Sequence, residues 1–352
     1  MKSRGEVIVH FRTKFINSDK VANILSLGKD MGEHVVLFGR GGHGKSVMTE
    51  EFFKFHDIKP FVKSLGKGTM IDDLLGGLKI KEFQEEGKLE FNVENSFMNY
   101  EYVVFEEAFD APLPVLEQLK DILTAKEFRN GNQTFKIKTK FIVVCTNRTR
   151  HELAEDDSIK ALMERFPYEL KVEWDDYSAE EYNKMFRKVL GTSLNEFAMM
   201  VEEANKVHFI SPRTAIKAAK VYQEFGLKEL QYVAGFSSGV VEALEEKSEE
   251  LKKLAKLKAR MRKIKEAVYK IIMSCEEKAN GKPIKCLQAH LHLKRARREL
   301  DNIAVPDNLV REHRKLTNDL DRFSKDYLDK AINATTKSSE FASIDLITNL
   351  QK

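Results

Sequence analysis

An α/β fold organised around a parallel sheet and followed by helical regions is predicted by three features of the 352-residue chain. The first is a glycine-rich turn at residues 39–46 (Gly39, Arg40, Gly41, Gly42, His43, Gly44, Lys45, Ser46), set between an apolar strand signal at Val35–Phe38 and a helix beginning near Lys45. The second is a pair of apolar runs, residues 102–105 and 141–145, each ending in polar groups: Glu106 and Glu107 after one, Thr146 and Asn147 after the other. Unbroken apolar runs of this length suit parallel strands buried on both faces, whose carboxyl ends collect functional side chains on one side of the sheet. The third is a helical period near the C-terminus, where Leu254, Leu257, Met261, Ile264, Val268 and Ile271 recur at alternating three- and four-residue gaps.

The turn at residues 39–46 carries the chemistry. A glycine-rich loop that opens a helix aims backbone N–H groups at phosphate oxygens, a lysine at the position of Lys45 reaches the same oxygens, and the Ser46 hydroxyl is suited to Mg²⁺. Alone it leaves kinase, GTPase and motor readings open. The other two strand ends narrow the choice. Glu107 is placed to orient and activate an attacking water, Glu106 to hold hydrated Mg²⁺ through a water, and Asn147 to hydrogen-bond that water or the γ-phosphate. The competing readings are an ordinary solvated acid for Glu107 and a turn residue bonded to its own backbone for Asn147.

With these motifs in this order, residues 15–230 resemble the AAA+ ATPases, and specifically their MoxR-like branch. Residues 39–46 resemble Walker A; Phe105, Glu106 and Glu107, followed by Ala108, Ala111 and Pro112, resemble Walker B and the helix start after it. The family usually has Asp where this chain has Glu106, so Glu106 is a departure, whereas Glu107 matches the catalytic Glu and Asn147 matches sensor 1. Residues 116–123, then 127–135, resemble a helix and a hairpin ahead of sensor 1, with a turn signal at Asn130 and Gly131 and a return strand through Phe135, Ile137 and Thr139. The alternation of residues 87–94 resembles an arm of a second inserted hairpin. The resemblance implies an arginine finger at Arg165, given in trans to a neighbouring subunit. Arg148 and Arg150 are less favoured for that role, and a surface ion pair is the competing reading for Arg165. Ser211, Pro212 and Arg213 resemble sensor 2, with Ser211 as N-cap, Pro212 in the first turn and Arg213 directed at the phosphates.

Composition sets outer limits. At 42% hydrophobic and 32% charged the chain has ordinary globular character, long enough for two or three domains. No stretch has the length and apolarity of a membrane helix and no apolar secretory segment is present, so a cytoplasmic location away from membranes is expected. Cys145, Cys275 and Cys286 lack the spacing of a metal site and the density of a disulfide framework, and His290 and His292 near Cys286 lack a fourth ligand. The expected divisions are a lead-in at 1–30, an α/β nucleotide-binding domain at 31–175, a helical lid at 176–235 and a long-helix region at 236–352. Glycines at 66, 68, 76 and 77 mark expected loops within the core.

The apolar stripe from Leu254 fits an intramolecular helical hairpin better than an intermolecular coiled coil, since it lasts about three heptads. Basic clusters at residues 294–298 and 311–315 are interleaved with Glu299, Asp301 and Asp307, and with a net charge of +4 they give no continuous footprint for nucleic acid. The resemblance implies a Mg²⁺-dependent ATPase, a homo-oligomeric ring, hexameric by family, acting as a chaperone on a protein client such as one with a von Willebrand factor A (vWA) domain. The rival readings are a nucleic-acid-directed AAA+ motor and an assembly scaffold regulated by ATP binding; nucleic acid is the less favoured partner.

Overall fold

The computed structural model describes residues 2–79, 84–85, 87, 91–130, 133–174, 176–278, 283–306 and 309–337. The chain divides into two compact units, Met1–Ser248 and Glu249–Lys352.

The first unit is built on a five-stranded parallel sheet. Its strands are β1 (Val35–Phe38), β2 (Phe61–Ser64), β5 (Tyr102–Glu106), β8 (Phe141–Thr146) and β9 (Tyr168–Lys171), in the order β2-β5-β8-β1-β9. All neighbours run parallel, with Val35 beside Val143 and Tyr168, and Val103 beside Ile142 and Phe61. β1 and β8 are buried at every position, which is why they lack a polar alternation.

Helices cover both faces. On one lie α1 (Arg4–Lys14), α2 (Asp19–Met31) and α3 (Lys45–Phe55), which bury Val7, Phe11, Leu25, Phe52 and Phe53 against Val35, Leu37, Phe141 and Val143. Each of these fully buried side chains contributes about 1.5–3 kcal/mol relative to exposure. α1 and α2, in the stretch expected as a lead-in, thus pack on the sheet; a capping box between Ser3 and Glu6 starts α1, and Gly32 in the left-handed region ends α2. On the other face α5 (Leu113–Ala125), α6 (Arg150–Ala154) and α7 (Asp157–Met163) pack Leu116, Leu119, Leu153 and Leu162 against Val36, Phe105, Ile142 and Val144.

Two short hairpins interrupt the alternation. β6 (Glu127–Asn130) pairs with β7 (Gln133–Lys136), with Phe128 opposite Phe135 and their rings stacked. Asn130 pairs with Gln133, so the ladder runs one step further than a turn at Asn130 and Gly131 would allow; the two phenylalanines set that register. The return strand ends at Lys136, ahead of Ile137 and Thr139. After α4 (Asp72–Leu75), β3 (Gly77–Leu78) pairs with β4 (Phe91–Asn92). Gly77 is thus a strand residue where a loop was expected, and residues 88–90 of the alternating segment lie outside those described, as do Gly131 and Asn132.

The lid comprises α8 (Ala179–Leu190), α9 (Asn195–Asn205), α10 (Pro212–Phe225) and α11 (Ser238–Glu246), around Tyr182, Phe186, Phe197, Ile210 and Phe236. α11 packs on α9, burying Val240, Val241 and Leu244, so this unit continues to Ser248 where the expected division was residue 235.

The second unit holds α12 (Ser248–Lys278), α13 (Pro283–Asp301) and α14 (Val310–Lys337). Met261, Ile264, Val268 and Ile272 of α12 share one apolar cluster with Cys286, Leu293, Leu300, Leu320 and Tyr327. This is the intramolecular packing expected of the stripe; the side chain of Ile271 is outside those described. His290 is buried, its Nδ1 2.8 Å from the Ser324 carbonyl. Among the described residues no helix is long and apolar enough to cross a membrane.

Candidate nucleotide site

The sheet order decides what meets at its carboxyl edge. β8 lies between β5 and β1, so the residue after β8 stands between the residues after the other two. Asn147 occupies that place. Its Oδ1 accepts from Lys45 Nζ at 2.9 Å, its backbone N–H donates to Glu107 Oε2 at 2.9 Å, and its Nδ2 donates to Glu107 Oε1. Glu107 sits one residue beyond β5 in the left-handed region (φ 54°), its N–H donating to the Cys145 carbonyl at 2.7 Å. That conformation is uncommon for a residue with a side chain and turns the carboxylate toward β8.

The turn between β1 and α3 places Lys45 inward. Its ammonium is buried and donates to the Gly39 and Arg40 carbonyls at 2.6 and 3.2 Å. Burial lowers its pKa, and the positive charge of Arg213 acts in the same direction, while Glu107 and Glu106 oppose the shift. A partly dehydrated ammonium ringed by carbonyls favours an added anion. α3 opens at Gly44 without a side-chain cap, so its first N–H groups are open to phosphate oxygens.

Ser46 Oγ donates to Glu106 Oε2 at 2.7 Å. Burial raises the Glu106 pKa against the lowering effect of that hydrogen bond and of Lys45. A hydroxyl and a carboxylate side by side are the oxygen donors Mg²⁺ takes, with water completing its shell. The extra methylene of Glu106 therefore does not keep it from Ser46. The donor set fits a magnesium–nucleotide complex: Lys45 and the loop N–H groups for phosphate, Ser46 and Glu106 for the metal.

The lid reaches the same loop. Ser211 caps α10 by accepting from Thr214 N–H, Pro212 occupies the first turn, and the Arg213 N–H donates to the Gly42 carbonyl at 3.2 Å. A Cβ on Gly42, whose φ is 86°, would lie 2.5 Å from Ser211 Oγ and 2.8 Å from Ser211 Cβ. Glycine is required there because the lid helix touches the loop backbone.

Arg165 stands elsewhere. Its guanidinium donates to Thr124 Oγ1 and the Ala161 carbonyl at 3.1 and 3.2 Å and pairs with Glu164. It lines a surface hollow of about 370 Å³ with Glu33, His34 and Lys126, at the start of β1, whereas the phosphate-loop residues follow its end. Arg148 and Arg150 are engaged by Asp110 and Glu169, each at 2.7 Å.

Sequence reasoning missed two aromatic residues beside the loop, Tyr177 and Phe209, which hold the loop residue His43. His43 Nε2 is 2.7 Å from the Tyr177 hydroxyl, and the His43 ring stacks on Phe209. The only local signal was an aromatic residue, Tyr177, at the exit into the lid; Asp175, also at that exit, lies outside the described residues. It missed as well the buried His34, whose Nδ1 accepts from the Ile142 N–H at 3.3 Å.

A parallel sheet with a phosphate loop, an acidic strand end, a polar strand end and a capped lid helix facing one another defines a P-loop AAA+ ATPase fold. The chain belongs to the MoxR family: residues 2–207 match the family described as the MoxR domain in the MoxR-vWA-beta-propeller ternary systems. Two uncharacterised proteins of Methanocaldococcus jannaschii are similar, one 25% identical over 181 residues (50% of this chain, 46% of that protein) and the other 25% identical over 134 residues (38% and 35%). The chain thus spans about half or less of the length of these relatives. Among solved structures it is similar to the RuvB Holliday junction branch migration motor of Thermotoga maritima, at 18% identity and a TM-score of 0.40 over 70% of this chain and 72% of that one. It is also similar to NtrX from Brucella abortus, at 14% identity and a TM-score of 0.41 over 62% and 52%.

Proposed function

We propose that this chain binds ATP with Mg²⁺ at the β1-β5-β8 edge and hydrolyses it to remodel a partner protein, working as a homo-oligomeric ring. The observation that carries the reading is the position of Asn147, bonded at once to Lys45 and Glu107. It joins the group that would neutralise phosphate charge to the group that would take a proton from the attacking water. Lys45 and the N–H groups of residues 39–46 hold the phosphates. Ser46 and, through a water, Glu106 would hold the metal, which would supply neutralisation of phosphate charge. Glu107 orients and deprotonates the water, Asn147 fixes Glu107, and Arg213 adds positive charge from the lid.

Arg165 fits a role toward a second copy. Its distance from the loop along β1 supports donation to a neighbour's nucleotide in a ring, which the family resemblance suggests is hexameric. The family is named for systems that contain vWA and β-propeller components, and a vWA-bearing protein is the client class this supports.

The test uses full-length chain with Glu107→Gln, which is expected to retain ATP and stall on its client. Recovery of a protein client with a vWA domain, dependent on ATP, is the expected result; nuclease-sensitive recovery dominated by DNA or RNA would replace it with the nucleic-acid motor. Mixing Arg165→Ala with Glu107→Gln is expected to regain phosphate release, because each lesion lies on a different side of a shared site. No regain at any ratio would remove Arg165 from the mechanism.

A further inference from the structure

The aromatic groups around His43 connect three parts of the first unit that are far apart in sequence. His43 is in the phosphate loop, Tyr177 lies between β9 and α8, and Phe209 lies two residues ahead of the α10 cap. His43 Nδ1 is 3.0 Å from the Arg40 carbonyl and Nε2 is 2.7 Å from Tyr177 Oη. Facing a carbonyl, Nδ1 carries the proton, so Nε2 accepts from the Tyr177 hydroxyl. The His43 ring is stacked nearly parallel to that of Phe209 (centroids 5.8 Å, 9°), and Tyr177 meets both rings edge-on. The Arg40 guanidinium lies 4.9 Å from the Phe209 centroid.

Two features separate this cluster from ordinary packing. Tyr177 has φ 50°, a conformation unfavourable for a residue with a bulky side chain, held while its hydroxyl reaches His43. The cluster also stands beside the second loop-to-lid contact, from the Arg213 N–H to the Gly42 carbonyl. The loop is thus gripped at adjacent residues, Gly42 by α10 and His43 by the linker into α8. Burial lowers the His43 pKa, as does the charge of Lys45, and keeps the imidazole in the neutral form this bonding needs.

We infer that His43, Tyr177 and Phe209 form a coupler between the phosphate loop and the lid, so that a shift of the loop on taking phosphate is carried into the first turn of α8 and the start of α10. The inference rests on the nucleotide reading above. Tyr177 and Phe209 are positioning residues: they act through the loop and do not touch the reacting atoms. A loop displacement that moves the His43 ring must either carry Tyr177 with it or break the hydroxyl bond. Because Tyr177 immediately precedes Ser178, the N-cap of α8, carrying it turns that helix.

Trp174 makes the coupler observable. It is the single tryptophan of the chain, and its ring lies 5.9 Å from that of Tyr177. In full-length protein, Mg·ATP is expected to change Trp174 emission saturably. Tyr177→Phe, which removes only the hydroxyl, is expected to halve that change and lower kcat about fivefold, the weight of one hydrogen bond, with ATP affinity by equilibrium dialysis within about twofold of wild type. Tyr177→Gly keeps the backbone conformation without steric cost and removes the ring, so it is expected to fold and to lose the emission change. Phe209→Leu is expected to behave as Tyr177→Phe, and Phe209→Tyr to restore the response.

Variants that bind ATP and keep the wild-type emission change and kcat would overturn the coupler, as would a lowered thermal midpoint with both responses intact. Wild-type protein that takes up no ATP in dialysis would overturn the nucleotide reading itself, and the coupler with it.

Discussion

Asn147 holds both carboxylate oxygens of Glu107, one with its backbone N–H and one with its side-chain Nδ2, while its side-chain Oδ1 accepts from Lys45. Loss of either end of this chain has a different expected effect. Glu107→Gln keeps one of the two hydrogen bonds from Asn147, because its amide NH2 cannot accept the other, and removes the base, so phosphate release is expected to fall about 10²–10⁴-fold while ATP is retained. Asn147→Ala keeps the backbone N–H bond to Glu107 but removes the side-chain bonds to Glu107 Oε1 and to Lys45 together, and both turnover and affinity are expected to fall. Quench-flow phosphate release with parallel nucleotide dialysis checks this; wild-type turnover by Glu107→Gln would remove Glu107 from the proposed role.

Gly42 is expected to be intolerant of a methyl group. Gly42→Ala sets a Cβ against Ser211 in a backbone region that disfavours side chains, a conflict of about 1–3 kcal/mol. Lid and loop would part, and the ATP dissociation constant is expected to rise about tenfold. Isothermal titration of the variant, with circular dichroism to check folding, measures it. An unchanged constant would mean that the lid contact has no part in nucleotide binding.

Glu106 and Ser46 are expected to act on the metal. Glu106→Gln is expected to raise the Mg²⁺ concentration at half-maximal hydrolysis by about tenfold or more, since it removes a charge bonded to the Ser46 hydroxyl. Nucleotide binding in the presence of a chelator is expected to change far less. Identical Mg²⁺ titrations for wild type and variant would leave Glu106 a structural acid.

Acid sensitivity is expected to run through His34. Burial lowers its pKa from the ordinary 6.5 to about 4, with the nearby Lys126 charge in the same direction, and Nδ1 is occupied by the Ile142 N–H. The folded state therefore binds fewer protons than the unfolded chain. Its contribution is present above pH 6.5 and is lost as the pH falls toward 4, by about 3 kcal/mol at most. His34→Asn retains an acceptor without titrating, so its denaturation midpoints are expected to be flatter over that window. Equal slopes for the two proteins would assign the acid loss to other groups.

Much of this arrangement could be read along the chain because its signals are local. The apolar runs that became β1, β5 and β8 are continuous, the loop at residues 39–46 is a contiguous motif, and Ser211 with Pro212 is a helix start whatever surrounds it. The burial of α1 against the sheet was not readable. Its apolar residues are spread among charges, and what buries Val7 and Phe11 comes partly from Phe52 and Phe141 far along the chain. The same holds for His43: nothing near it in sequence announces Tyr177 or Phe209, because those contacts exist only once the lid has folded back on the loop. Asn130 was misplaced by one residue because a turn dipeptide does not set register, whereas the facing Phe128 and Phe135 do.

The strand order carries a consequence for how the chain is made. β1 has only β8 and β9 as neighbours, so Val35 waits for Val143 and Tyr168. On a ribosome, the strand bearing the phosphate loop emerges long before either flank exists; until then α1, α2 and α3 can screen Val35 and Leu37, while Val36 and Phe38 face the side that later helices cover. Lengthening the intervening chain costs little, since each doubling of a loop adds only about 0.6 kcal/mol to its closure. Growth of the two hairpins in evolution is thus nearly neutral for stability, and its penalty falls on the time the nascent sheet spends incomplete.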